Sequence, residues 1–175
     1  DLIVAVSKLP ISIKSEINID IYGDGPYKDY LISKVQEYQL ELNFTFLGSN
    51  PNLNELYCQY DYMLQPTHME CFSLSILESL SANVPVITTK VGGNEEVIVN
   101  NINGYVFEAR DSQTLSLILE QVYIGNKRIE LNTRNVIEAN FSLEKMVENH
   151  FALVLDKVFG GKGMVSNYSA VLVKK

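Results

Sequence analysis

The stretch DYMLQPTHMECFSLSILESLSANVPVITT, residues 61–89, decides the fold of this chain. It consists of a β-rich run at 61–67, a polar turn, an amphipathic helical pattern at 74–82 and a second β-rich run at 85–89. A strand, a helix and a strand in this order predict a βαβ unit with parallel strands. The polar turn before the helix then lies at the carboxyl edge of the sheet, where open α/β sheets bind their ligands.

The same alternation continues on both sides of this unit, which predicts an α/β fold with a doubly wound, mostly parallel sheet and helices on both faces. Ser142 is a suitable N-cap for the last predicted helix. The other predicted strands are 17–23, 43–48 and 104–109, and the other predicted helices are 26–40, 52–59, 94–99, 112–125, 126–139 and 143–159.

The chain opens on LIVAVSKL, residues 2–9, which is an apolar helical pattern. Because a helix of a doubly wound sheet normally follows a strand, we expect the first strand to be missing from the chain and to leave a gap at the centre of the sheet. We expect one domain over residues 1–159 and a glycine-hinged tail over 160–175. The β-prone run at 169–173 in this tail is one candidate for filling the gap, and a frayed surface tail is the alternative.

Composition limits the classes of function. The chain has 175 residues, 46% of them hydrophobic, and a formal net charge of −7, so it can bury a core but has no basic surface for a nucleic-acid backbone. The two cysteines, Cys58 and Cys71, have no metal-ligand spacing, which indicates reduced thiols in the cytoplasm and no metal site. No apolar run reaches the roughly 18 residues of a membrane span.

The turn YGDGPY, residues 22–27, resembles a phosphate loop through Gly23 and Gly25, but Lys28 stands where the dinucleotide fingerprint has its third glycine. The local interpretation is that Gly23 ends a strand and Pro26 occupies the first helical position.

A second glycine turn, VGGNEEVI at 91–98, also has a local explanation. Gly92 and Gly93 permit a tight turn, Asn94 can cap a short helix, and the two glutamates that follow suit its positive end.

The turn between strand and helix at 66–78 contains the residues most suited to binding. Backbone N–H groups at Ser73, Leu74 and Ser75 begin the helix and are left without helical partners, so they could hold a phosphate without basic side chains. This suits an acidic chain that binds an anion.

Each charged side chain near this turn has a local alternative. Ser75-x-x-Glu78 has the spacing of a capping box, in which the carboxylate bonds back to the start of the helix. Glu70 is then a solvated loop acid, and His68 is a loop or core histidine rather than a base.

Five segments in order, namely GDGPY, FTFLGSN, QPTHMECFSLSILESL, NVPVITTKVGGNEEVI and NGYVF, resemble the C-terminal, donor-binding domain of retaining glycosyltransferases with the GT-B fold, the group-1 glycosyl transferases. The resemblance covers about residues 1–150. Its most specific element is the Glu-x7-Glu motif, which runs here from Glu70 to Glu78.

This resemblance implies a role for each residue of the turn. Glu70 lies beside the donor sugar as the catalytic-site carboxylate, where it positions hydroxyls and does not act as a nucleophile. Glu78 binds the ribose hydroxyls, the turn binds the diphosphate, and the base lies near 47–53. The residues expected to contact the donor, besides Glu70, are Leu47, Gly48, Leu53, His68, Cys71, Phe72, Ser73, Leu74, Ser75 and Glu78.

The resemblance also implies an activity: transfer of a hexose from a UDP- or GDP-sugar to a glycan or lipid-linked acceptor in polysaccharide biosynthesis, with retention of configuration and without cofactor or metal. The acceptor domain is outside this chain, which is expected to be inactive alone and to belong to a cytoplasmic protein; peripheral attachment to the inner face of the membrane stays open. The alternatives are a GT-B sugar-nucleotide epimerase and a non-catalytic nucleotide-sugar-binding module.

The chain departs from the family pattern at three positions of the turn and helix. The family usually has glycine where Cys71 and Ser73 stand, and often where Asn83 stands. Asparagine tolerates a positive φ, so Asn83 is a mild change. The side chains of Cys71 and Ser73 are expected to narrow the sugar pocket or to change which hexose fits. The basic pair with which the family clamps the diphosphate has no counterpart in this sequence.

Overall fold

The structure is a computed structural model that describes residues 1–126, 129 and 132–159. The tail at 160–175, with its predicted β-prone run, lies outside the described residues. The elements in chain order are α1 (Leu2–Ser7), α2 (Ile11–Lys14), β1 (Ile19–Tyr22), α3 (Lys28–Glu37), β2 (Phe44–Gly48), two 3₁₀ helices (Leu53–Glu55 and Tyr57–Gln59), β3 (Met63–Gln65), α4 (Leu74–Ser81), β4 (Val86–Thr89), α5 (Asn94–Val97), β5 (Gly104–Phe107), α6 (Ser112–Tyr123), α7 (Arg134–Asn140) and α8 (Leu143–Phe159).

All strand pairs in the described residues are parallel, as predicted. β1 pairs with β2, where Ile19 lies opposite Phe44. β4 is the middle strand of a second sheet, in which Val86 lies between Met63 of β3 and Gly104 of β5. The alternation of strands and helices therefore forms the predicted parallel α/β arrangement.

The edges of the two sheets face a common cavity. Strand β1 (Ile19–Tyr22) and strand β3 (Met63–Gln65) both line a cavity of about 290 Å³. In the part of the chain that the structure describes, hydrogen-bonded ladders join β1 to β2 and β3 through β5, but none joins β1 to β3. The parallel strands that the structure describes thus form two separate ladders, with the cavity between β1 and β3.

Alternate residues of the central strands point to two apolar cores, because successive side chains of a strand face opposite ways. Ile87 and Tyr105 pack with α1 and α6 in one cluster, whereas Val86 packs with α4, α5 and α7 in the other. Helices therefore cover both faces of this sheet, as in a doubly wound fold.

Two predicted helices, at 52–59 and at 26–40, differ from the structure. The pattern at 52–59 forms two short 3₁₀ helices, with hydrogen bonds from Glu55 N to Asn52 O and from Leu56 N to Leu53 O. Pro26 does not start α3: residues 26–27 form a turn that is closed by Lys28 N and Gly25 O, and the helix begins at Lys28.

The helix predicted at 126–139 begins only at Arg134. The preceding residue, Thr133, is buried and bonded to the end of α4: its N–H donates to Asn83 Oδ1 and its hydroxyl to Leu80 O. These contacts hold the chain at the start of α7. Asn83 has a φ of 63°, in the region that asparagine tolerates.

The predicted cap of α8 is confirmed, since Lys145 N donates to Ser142 Oγ at 3.2 Å. Of the helices that the structure describes, none combines the length and the apolar character needed to cross a membrane.

Candidate functional site

Helix α4 begins at the carboxyl edge of β3 and is capped by Ser73. The Ser73 side chain is only 6% exposed, and its Oγ accepts a hydrogen bond from Ile76 N at 3.4 Å. Leu74 and Ser75 are the first two helical residues, and their N–H groups have no partner within the helix. The N-terminus of α4 therefore presents donors and the positive end of its dipole at the edge of the sheet.

The capping-box interpretation of Ser75 and Glu78 is wrong. Ser75 lies inside the helix, because the extended residue that precedes it as the cap is Ser73, with φ −87° and ψ 114°. Glu78 is exposed, and its Oε2 lies 3.4 Å from the hydroxyl of Tyr57. The Glu78 carboxylate therefore contacts Tyr57 and not a backbone N–H group at the start of α4.

Tyr57 is a site residue that sequence reasoning missed. Its side chain is buried, and it lines the cavity between β1 and β3 together with Leu53 and Ser75. Burial raises the pKa of Tyr57, and the charge of Glu78 raises it further. Its hydroxyl therefore remains a hydrogen-bond donor at physiological pH. Only the apolar pattern of 52–59 pointed to this segment, and it gave no sign of a contact with Glu78.

Glu70 lies in the turn before α4. Its Oε1 accepts a hydrogen bond from the backbone N–H of Cys71 at 2.9 Å. The Cys71 carbonyl in turn accepts a hydrogen bond from Gly93 N at 2.8 Å. The turn that contains Glu70 is therefore fixed to the glycine turn after β4.

Gly92 makes this contact possible. Its φ is +54°, and a Cβ atom at this position would collide with the backbone oxygen of Glu70. Asn94 does not cap α5 but is its first residue; it is buried, and its amide donates to Thr88 Oγ1 at 3.0 Å and to Thr89 O at 3.1 Å. The glycine turn, which sequence reasoning explained locally, is thus part of the support of Glu70.

The residues that follow Glu70 in the chain differ in how far their side chains are exposed. Phe72 packs against Phe141, with ring centroids 6.1 Å apart, and both are partly buried against the second core. Cys71 is exposed, as is Leu74. Of the two side chains expected to narrow the pocket, only that of Cys71 is therefore exposed, because Ser73 is used as a cap.

His68 makes a contact at the start of the chain. Its Nε2 lies 2.6 Å from Asp1 Oδ2, which also accepts a hydrogen bond from Arg110 N at 2.9 Å. These contacts join the carboxyl ends of β3 and β5 to the start of α1. The structure thus gives His68 the contacts of a loop histidine bound to a carboxylate.

The three residues predicted to lie near the nucleotide base, Leu47, Gly48 and Leu53, are in two different places. Leu53 lines the cavity beside Tyr57 and Ser75. Leu47 is exposed, and Gly48, with φ +72°, ends β2; neither belongs to the described lining of that cavity. The loop after Gly48 is held by Asp24, whose Oδ2 accepts from Ser49 N at 2.9 Å.

A capped helix N-terminus, two glutamates and a supporting glycine turn meet at the carboxyl edge of a doubly wound sheet. Open α/β sheets bind their ligands at this edge, and helix N-termini are suited to bind phosphate groups. Residues 1–140 match the family described as glycosyl transferases group 1. The chain belongs to this family.

Curated relatives agree with this membership. The chain is 28% identical over 161 residues to the N-acetyl-alpha-D-glucosaminyl L-malate synthase of Bacillus anthracis, a match that covers 89% of this chain and 41% of the relative. It is 29% identical over 145 residues to the UDP-N-acetylglucosamine–peptide N-acetylglucosaminyltransferase GtfA subunit of Streptococcus agalactiae, covering 77% and 28%. The chain thus spans less than half the length of these relatives.

Solved structures confirm the fold. Anabaena Alr3699/HepE, in complex with UDP, has a TM-score of 0.75 at 23% identity, over 89% of this chain and 44% of that one. A glycosyltransferase from Rickettsia africae has a TM-score of 0.76 at 22% identity, over 91% and 44%. The chain therefore has the Rossmann-like architecture of one half of a GT-B fold.

Proposed function

We propose that this chain binds the nucleotide-sugar donor of a retaining hexosyltransferase. The observation that carries the proposal is the placement of Glu70 in the turn before the capped N-terminus of α4 and of Glu78 in the second turn of that helix. Two carboxylates spaced by one phosphate-binding turn match a ligand that has hydroxyls at both ends and a diphosphate between them.

The diphosphate is proposed to lie at the start of α4, against the N–H groups of Leu74 and Ser75. Helix N-termini bind phosphate through such donors and through the helix dipole. This mode of binding suits a chain with a net charge of −7, because it uses backbone groups instead of basic side chains.

The two carboxylates take different parts of the donor. Glu78 is proposed to accept hydrogen bonds from the ribose hydroxyls, and Glu70 from hydroxyls of the sugar. The base is proposed to lie near Leu47, Gly48 and Leu53. The exposed Cys71 side chain is the residue of the turn best placed to affect which hexose fits.

The proposed reaction breaks the bond between the anomeric carbon and the diphosphate oxygen and forms a bond from that carbon to an acceptor oxygen on the same face. The acceptor proton passes to the leaving phosphate, so no protein base is required. The site stabilises the departing charge and orients the sugar, with Glu70 beside the positive charge that develops at the anomeric carbon. The reaction as proposed needs no cofactor and no metal.

The names of the relatives support this class of donor. Two curated relatives are named for N-acetylglucosaminyl chemistry, one of them as a UDP-N-acetylglucosamine enzyme, and Anabaena HepE was crystallised with UDP. A GDP-mannose-dependent alpha-mannosyltransferase of Corynebacterium glutamicum is 29% identical over 122 residues, so GDP is the second candidate. The acceptor is proposed to be a glycan or a lipid-linked sugar that binds to a part of the longer protein outside this chain.

Calorimetry of the chain with UDP and with GDP tests the proposal. We expect one of the two to bind with a Kd of about 0.1 to 1 mM, in a ratio of one to one, because half of a two-domain site makes only part of the contacts. An assay with the corresponding nucleotide sugars is expected to show neither transfer nor hydrolysis. Failure to bind either nucleotide at millimolar concentration would contradict the proposal.

A further inference from the structure

The hydroxyl of Tyr57 contacts the carboxylate of Glu78, and the proposed function assigns this hydroxyl no part. Tyr57 stands in a 3₁₀ helix (Tyr57–Gln59), and its side chain is 5% exposed. Its Oη lies 3.4 Å from Glu78 Oε2. The contact joins the segment between β2 and β3 to the middle of α4.

Glu78 needs such a contact to be held in one place. It is exposed on the surface of α4, and a glutamate has three rotatable side-chain bonds whose ordering costs entropy when a ligand binds. A donor at one oxygen limits the rotamers and leaves the other oxygen free to accept from a ligand. The carboxylate is then ordered before the ligand arrives.

The surroundings of Tyr57 suit it to this task. A buried tyrosine usually bonds its hydroxyl to a partner, and Tyr57 has Ser75 and Glu78 on the same face of α4, one turn apart. Burial and the charge of Glu78 raise the pKa of Tyr57, whereas a hydrogen bond with Ser75 lowers it. The phenol therefore stays protonated and can donate.

We infer that Tyr57 is a positioning residue that orients the Glu78 carboxylate toward the ribose hydroxyls of the nucleotide. This inference rests on the proposed function, because it gives Tyr57 a role only through Glu78. It makes the segment before β3 a determinant of affinity for ribose.

Comparing the binding of two nucleotides distinguishes a positioning role of Tyr57 from a purely structural one. UDP carries both ribose hydroxyls, and 2′,3′-dideoxyuridine 5′-diphosphate carries neither, so the ratio of their Kd values measures the contact with the ribose. GDP and its dideoxy form replace them if GDP is the tighter ligand. We expect Tyr57→Phe to raise the Kd for UDP by about fivefold, which corresponds to the loss of one hydrogen bond. The Kd of the variant for dideoxy-UDP should stay within about twofold of the wild-type value.

Glu78→Gln and the double variant complete the cycle. Glu78→Gln should weaken UDP binding by about tenfold or more and remove most of the preference for UDP over its dideoxy form. Tyr57→Phe should add little to the loss in the Glu78→Gln background, because its effect passes through Glu78. Tyr105→Phe, which removes the hydroxyl of a tyrosine that is 4% exposed in β5, is the matched control and should not change the ratio.

The outcomes distinguish the two hypotheses. If Glu78→Gln leaves the preference for UDP unchanged, or if the wild type binds no nucleotide, the proposed function fails. If Glu78→Gln removes the preference and Tyr57→Phe does not, the proposed function stands and the inference about Tyr57 is overturned. Equal weakening of both nucleotides by Tyr57→Phe would also overturn it, since that pattern indicates a structural role.

A measurement without nucleotide tests the contact itself. In a double-mutant cycle on urea unfolding, we expect the effects of Tyr57→Phe and Glu78→Gln on the unfolding equilibrium constant to be non-additive by about two- to fivefold. Additive effects would mean that the two side chains do not interact in solution, and would overturn the inference whatever the nucleotide data show.

Discussion

The backbone oxygen of Glu70 occupies the space that a Cβ atom at Gly92 would need. Gly92 also has a φ of +54°, in the region that favours glycine. The next residue, Gly93, donates its N–H to the carbonyl of Cys71 at 2.8 Å. The turn after β4 thus determines where the first glutamate of the site lies.

Gly92→Ala is therefore expected to damage both stability and donor binding. The added methyl group must push away the backbone of Glu70, and the positive φ adds strain, so we expect a loss of about 1 to 3 kcal/mol or more in the free energy of unfolding. Urea denaturation measures this loss. Because Glu70 moves, calorimetry should show a larger loss of affinity for a UDP-sugar than for UDP.

Gly25→Ala is the control, because Gly25 has open space around its Cβ position and no positive φ. It should change the free energy of unfolding by less than about 0.5 kcal/mol. If Gly92→Ala is as mild as Gly25→Ala, the close approach of the two turns does not exist in solution.

The two glutamates are expected to respond differently to substitution by glutamine. Glu78→Gln should weaken UDP and UDP-sugar alike, because both contain the ribose. Glu70→Gln should leave UDP binding nearly unchanged and weaken only the sugar nucleotide, by about tenfold for the loss of hydrogen bonds to a charged group. Calorimetry with both ligands checks this, with the exposed Glu41→Gln as the control. The assignment of the two ends of the donor is wrong if the two variants show the same pattern.

The cap of α4 gives a prediction about the stability of the fold. Ser73→Ala removes the acceptor for Ile76 N and is expected to cost about 1 kcal/mol in the free energy of unfolding, whereas Ser73→Gly should cost only a few tenths, because glycine is tolerated at N-caps. Chemical denaturation of both variants measures the difference. Equal losses would mean that the hydroxyl does not act as a cap, and that the buried volume of the side chain matters instead.

The sequence is enough to predict some elements of this fold, but not the position of the cap of α4. The alternation of β-rich and helical runs is enough for the parallel sheets and for α4, since hydrophobic periodicity depends on neighbours in the chain. The helix predicted at 74–82 agrees with α4, but Ser75-x-x-Glu78 also has capping spacing, so the local pattern left the position of the cap open. The choice of Ser73 depends on tertiary contacts, namely the packing of Phe72 on Phe141 and the bond from Gly93 to Cys71.

The supports of the two glutamates were not predictable from local pattern. Gly92 approaches Glu70, and Tyr57 approaches Glu78, only because separate βα units meet at one edge of the sheet. A glycine pair and an apolar tyrosine have ordinary local explanations, and one sequence alone gives no signal that joins them to the site. The family resemblance selected the glutamates but not the residues that hold them.

The loop that is proposed to lie near the base gives a prediction about pH. Asp24 pairs with Lys28 Nζ at 2.7 Å through Oδ1 and accepts from Ser49 N at 2.9 Å through Oδ2. The hydrogen bond from Lys28 lowers the pKa of Asp24 most, and the bond from Ser49 lowers it further below the ordinary value of 3.8. The ionised carboxylate is thus the form that holds the loop.

Because the pKa is lower in the folded state, Asp24 stabilises the fold fully above pH 3.8, and this contribution is lost as the pH falls through the lower folded value. Asp24→Asn should therefore be less stable than the wild type at neutral pH, and the difference should shrink as the pH is lowered through 3.8 and below it. Urea denaturation over this range measures the difference. A difference that is constant with pH would mean that the Asp24 contacts do not depend on its charge, and that the loop is held by other groups.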